Sequence, residues 1–210
     1  MTSPRPPSPS ALWPYLRIAG YGAVLLALGE VLLFRIRPES AWDVFDEYGT
    51  LEKAQLVCLG LGILLGLVTA VRYPASRPVS ILLAGLLVAV LIREHNNYFK
   101  DRVGEGVWQI WVGVVIVVSV GVSACYRRNV WGALADLGRA PALAWMAAAV
   151  LLVVFGQLFD EHDLWAYMLE GVDPKAARRA VEECLELAGY YLFAVGLFEY
   201  WLYQRANSTA

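Results

Sequence analysis

The stretch 107–125, VWQIWVGVVIVVSVGVSAC, decides how the rest of the chain is read. It carries no charged residue and approaches the length of a bilayer-spanning helix, which takes about 20 mostly apolar residues. Stretches of similar character lie at 15–34, 51–71, 79–98, 143–159 and 187–203. Of these, 51–71 matches a span well, whereas Arg93, Glu94 and His95 interrupt 79–98, and Glu199 interrupts 187–203. With 59% apolar and 17% charged residues, the chain offers less charge than a soluble surface ordinarily carries. The expectation is an all-α, polytopic integral membrane bundle of about six transmembrane helices, paired as three hairpins.

Charge alternates along the connections between these stretches. Arg5 and Arg17 precede the first, Arg72 and Arg77 flank the second connection, and Arg127, Arg128 and Arg139 occupy the fourth. Acids collect in the odd connections: Asp43, Asp46 and Glu47, then Asp101 and Glu105, then Asp160, Glu161, Asp163, Glu170 and Asp173. The positive-inside rule then places both termini in the cytoplasm of a multi-pass inner (plasma) membrane protein. Trp13, Trp42, Trp108, Trp131, Trp165 and Trp201 fall near the expected helix ends, where an aromatic belt sits. A proline- and serine-rich tail over 1–11 reads as disordered, 12–205 as a single helical domain, and 206–210 as a short tail. The net charge of −2 gives no reason to expect nucleic acid as a partner. Cys58, Cys125 and Cys184 are scattered and describe neither a disulfide framework nor a zinc site.

Both histidines of the chain sit in one pattern. Glu94-His95-Asn96-Asn97-Tyr98 and Glu161-His162-Asp163-Leu164-Trp165 each follow an apolar stretch, and each precedes a Glu-Gly pair, Glu105-Gly106 or Glu170-Gly171. Beside them, 174–186 reads as an amphipathic interfacial segment on which Glu182 and Glu186 share a face at i,i+4. Like charges held at a low-dielectric boundary need a cation, a proton or an arginine. A divalent metal such as zinc, iron or manganese is one such cation, with His95, His162, Asp160, Glu182 and Glu186 as ligands. Glu94 and Glu161 are then the bases that accept a proton from metal-bound water. The substrate expected at that outer face is a lipid or lipid-linked molecule.

Two other functions use the same residues. Glu30 and Glu199 within apolar stretches suit a proton- or ion-coupled transporter. Glycine-lined helices alone suffice for a non-catalytic subunit or scaffold beside another membrane protein. The plainer reading of each histidine is a side chain bonded to a backbone carbonyl. The plainer reading of the acids is i,i+4 pairing, Arg178 with Glu182 and Arg179 with Glu183.

Overall fold

A computed structural model describes residues 9–36, 49–158, 165 and 175–208. These form α1 (Pro9–Ile36), α2 (Thr50–Arg72), α3 (Arg77–Glu94), α4 (Asn96–Arg102), α5 (Val107–Cys125), α6 (Arg127–Arg139), α7 (Ala142–Leu158) and α8 (Lys175–Ser208). Local chemistry marks several boundaries. Pro78 stands in the first turn of α3, where its missing N–H costs no helical bond. Gly106 opens α5 at a φ of +79°, a left-handed conformation that a side chain disfavours.

Helix α8 is the axis of the bundle. Leu187, Tyr190, Phe193, Val195, Leu197 and Tyr200 are buried on several of its faces, because α7 and α2 both pack against it. Helix α7 approaches closely through small residues spaced seven apart. A Cβ on Gly196 would meet Met146 and the Ala142 carbonyl, and one on Gly189 would meet Val153 and the Ala149 carbonyl. Gly156 in turn lies against Leu185. These pairs run in opposite order along the two helices, so α7 and α8 are antiparallel. Helix α3 packs on α2, with Gly66 against Ala84, and on α5, where the Ser123 hydroxyl donates to the Pro78 carbonyl at 3.0 Å.

Helix α1 joins this body through polar groups. Arg17 pairs with Glu199 on α8 at 3.0 and 3.1 Å, and the Tyr21 hydroxyl donates to the same carboxylate at 2.5 Å. Tyr191 donates to the Tyr21 carbonyl at 2.7 Å, while the Tyr21 ring meets Trp145 and Phe198 edge-on. Outward flanks of α1 and α5 stay apolar and exposed, with Leu26 and Val117 as examples.

The six-span, three-hairpin architecture is corrected by these helices. Among the described residues, three are long and apolar enough to cross a membrane, Leu12–Leu32, Thr50–Arg72 and Val107–Cys125. A fourth arises only if α6 and α7, bent by 84° where they meet, count as one broken span. The stretch 79–98 breaks at Glu94, where α3 ends in ion pairs, and continues as the separate helix α4. The stretch 187–203 belongs to a 34-residue helix whose acids, Glu186 and Glu199, are buried and paired inside the bundle. Ion pairs that link residues 182 and 93 positions apart, and the packing of α2 on α8, join elements that are not consecutive in the chain. The bilayer, lipid-like and membrane-protein partners, the inner-membrane placement and the shared side for both termini rested on six spans and fall with them. Asp43, Asp46 and Glu47, Trp42, and most of the expected N-terminal tail lie outside the described residues.

Close α7–α8 packing has a measurable consequence. Gly189→Val is expected to destabilise the fold by about 1–3 kcal/mol, because the added atoms meet backbone as well as Val153. Gly113→Val, in open space on α5, is expected to stay within about 0.5 kcal/mol. Equal midpoints for the two variants in denaturant unfolding would contradict the packing described.

Candidate functional site

Four helices bring their polar groups to one place. The last turn of α3 supplies Arg93 and Glu94, the end of α7 supplies Gln157, and α2 supplies Gln55. Helix α8 supplies Glu182, Glu186 and Tyr190, which lie four residues apart on one face, with Glu183 beside them. Arg93 stands between two carboxylates, Nη1 to Glu94 and Nη2 to Glu186, each at 3.5 Å. The Tyr190 hydroxyl donates to Glu94 at 2.8 Å. Gln157 donates from Nε2 to Glu182 at 3.3 Å and to Glu186 at 3.2 Å. Gln55 donates to the Glu183 carboxylate at 2.9 Å, and Arg179 approaches the same carboxylate at 3.9 Å.

Carboxylates outnumber the cations near them. The Glu186 side chain is 5% exposed, and burial, with Glu94 beside it, pushes its carboxyl up to about 8 against the pull of Arg93. Burial also raises Glu183, against the hydrogen bond from Gln55. The Tyr190 phenol is raised by burial and then by Glu94 and Glu186, so it stays a neutral donor. Burial works against the Arg93 charge, but Glu94 and Glu186 together outweigh it and hold the guanidinium ionised.

An apolar groove opens beside this cluster. Helices α3, α7 and α8 all contribute to it, α3 packing closely on neither of the other two, and Gly189 is part of its lining. Leu86, Val90, Val150, Val153, Val154 and Phe193 line the groove together with Arg93 and Tyr190, and the lining is almost wholly apolar. Its volume is about 140 Å³. Among the residues that line it, Arg93 alone is charged.

The expected site residues thus separate. Glu94, Glu182 and Glu186 meet in one cluster. His95 ends α3 with its Nδ1 at 3.0 Å from the Leu91 carbonyl, the backbone contact that the plainer reading anticipates. Asp160, Glu161 and His162 lie outside the described residues. Among the described residues, no group of three or more His, Cys, Asp or Glu is placed to hold a metal ion, which corrects the metal-binding expectation there. The carboxylates that do converge are held instead by a guanidinium, a phenol and amides. Glu105, part of the repeated pattern, pairs with Lys100 at 3.2 Å on the surface. Glu199 is taken up by Arg17 and Tyr21, and Glu30 is exposed. Pairing of Glu94 with Arg93 was an alternative the sequence offered, and it is present; sequence reasoning missed the groove, the Arg93–Glu186 pair and the parts played by Tyr190, Gln55 and Gln157. An arginine breaking an apolar run was the available signal. Compared with protein-family models, curated proteins and solved structures, the chain matches none.

Glu186 gives the fold a pH dependence of known sign. Its proton is held up to about 8 in the fold and leaves near 4.5 from an ordinary carboxyl. Between these values the folded chain binds more protons, so stability falls as pH rises, by up to about 1.4 kcal/mol per pH unit. Glu186→Gln is expected to flatten the midpoint of thermal unfolding between about pH 5 and 8, and to exceed the parent at pH 8. Parallel profiles for the two proteins would place the buried proton elsewhere.

Proposed function

We propose that this chain is a ligand-binding helical module that takes up a small apolar molecule in the groove between α3, α7 and α8. The observation that carries this reading is an almost wholly apolar groove beside a cluster of buried, paired ionisable groups. A mostly apolar concave lining with neighbouring ionisable residues shifted from their ordinary range is a pattern that ligand sites share. The groove's 140 Å³ is close to the roughly 150 Å³ of an apolar cavity that takes up benzene, so a ligand of about one ring fits. In this reading Glu94 and Glu186 hold Arg93 beside the groove, and Gln157 and Tyr190 hold the two carboxylates.

The geometry also favours binding over simple packing. Val150 and Val154 on the rim are about half exposed, so the lining is open to an incoming molecule. Phe193 and Gly189 form a floor fixed by the α7–α8 contact, which limits reorganisation on binding.

Titration with 3-phenylpropanol, followed by calorimetry and by the methyl signals of Val90 and Val153, tests this function. Saturable one-to-one binding is expected. Val154→Trp fills the rim from an exposed position and is expected to weaken binding by at least about tenfold while leaving the helical circular dichroism unchanged. Binding of equal strength in the variant would sink the groove as the site.

A further inference from the structure

We infer that the end of the bundle where α2, α3, α5 and α6 meet is a docking surface for an acidic segment of a partner protein that also carries an aromatic side chain. This surface lies at the opposite end of α3 from the groove and stands independently of the ligand proposed there. Arg77 holds this end together. Its Nε donates to the Ala70 carbonyl at 2.9 Å, and its guanidinium lies over the Tyr126 ring, 5.3 Å from the centroid. With Ser123 donating to the Pro78 carbonyl at 3.0 Å, this clamp joins the last turn of α2, the first turn of α3 and the junction of α5 with α6. Arg72 closes α2, and Arg127 and Arg128 open α6. All three of these side chains are exposed.

The helices that form this end supply no acid to answer the exposed arginines. Helices α2 and α3 carry one acid each, Glu52 and Glu94, both at their far ends, and α5 carries none. Asp136, the single acid of α6, pairs with Arg139 at 3.6 Å. At 1.5 Å per residue, Glu52 and Glu94 stand about 25–30 Å away, beyond the roughly 10 Å over which charges act in dilute salt. Arg17, Arg93 and Arg179, by contrast, each pair with a carboxylate. Beside the free cations the surface turns apolar. Ala133 and Leu137 bury the inner face of α6, while Trp131 is 80% exposed and Leu134 42%. Helical spacing puts Arg127, Trp131 and Leu134 on one side, at i, i+4 and i+7. Arginine and tryptophan are the side chains enriched where protein–protein contacts draw most of their energy. A guanidinium takes a carboxylate in two parallel hydrogen bonds, and an indole pairs edge-to-face or offset with another ring. The complement of this surface is a chain segment with carboxylates on either side of an aromatic residue. Three exposed arginines fall short of the roughly 6–10 phosphate contacts of a duplex-binding surface.

A fluorescein-labelled heptapeptide, EEDFDEE, titrated into the full chain in low salt and followed by anisotropy, tests the surface. Saturable one-to-one binding is expected. The amide counterpart QQNFNQQ and the ring-free EEDSDEE are each expected to bind about tenfold more weakly. Replacing Arg127→Gln and Arg128→Gln together is expected to weaken EEDFDEE by about tenfold, and Trp131→Ala by about fivefold. The helical circular dichroism is expected to stay unchanged, because all three side chains are exposed. Lys53→Gln, a cation lost from the far end of α2, is expected to leave the affinity as it is. Absence of saturable binding by EEDFDEE overturns the surface, as does equal binding of QQNFNQQ or an unaltered affinity in the double arginine variant. Phosphatidylcholine–phosphatidylserine vesicles and a 20-nucleotide oligothymidylate are titrated alongside. Tighter uptake of either than of the peptide, lost in the double arginine variant, overturns the protein partner.

Discussion

Close approach of α7 to α8 is the constraint on which the other features depend. Ala142, Ala149 and Gly156 present little side chain at seven-residue intervals, and Gly196 and Gly189 answer them from the opposite helix. A seven-residue spacing keeps one seam facing its partner for the length of an antiparallel pair. Backbone-level contact there defines how α7 lies along α8. It sets Gln157 against Glu182 and Glu186, and it places Gly189 in the lining of the groove. The groove and the polar cluster are two results of the same register.

Electrostatics then decide which groups these positions can hold. Carboxylates on α8 sit in a low-dielectric interior with fewer cations than charges to match, so burial favours their neutral forms. Uncharged donors make up part of the difference: Tyr190, Gln55 and Gln157 each point an O–H or N–H at an acid. The far half of α8 solves the same problem differently. Glu199 has a closely paired guanidinium and a phenol of its own, and that pairing is also what anchors α1. One acid is satisfied and structural. The other is held by Arg93 and Gln157, with burial favouring its neutral form.

Several elements were legible from local pattern. The uncharged run of α5 and the glycine-rich run of α2 read as helices because apolar content and length are properties of neighbouring residues. The i,i+4 relation of Glu182 to Glu186 and the Arg179–Glu183 pair followed from helical spacing alone. The single helix over 175–208 was not legible, because its charged first half and apolar second half look like two kinds of segment. The repeated Glu-His pattern drew attention to His95, yet the chemistry around it belongs to its neighbours. Arg93 and Glu94 meet α8, while the imidazole turns back to its own helix.

The sequence by itself determined the helical class and the shared face of Glu182 and Glu186. Each is set by composition and a 3.6-residue repeat acting over a few turns. Only the tertiary structure decided which of those helices share an interior, and so which charges meet. Arg93 lies 93 positions from Glu186, and Arg17 lies 182 from Glu199. No local periodicity relates residues so far apart. Their meeting depends on the small-residue contacts that let α7 and α2 close around α8, and on the absence of a matching contact between α3 and α7.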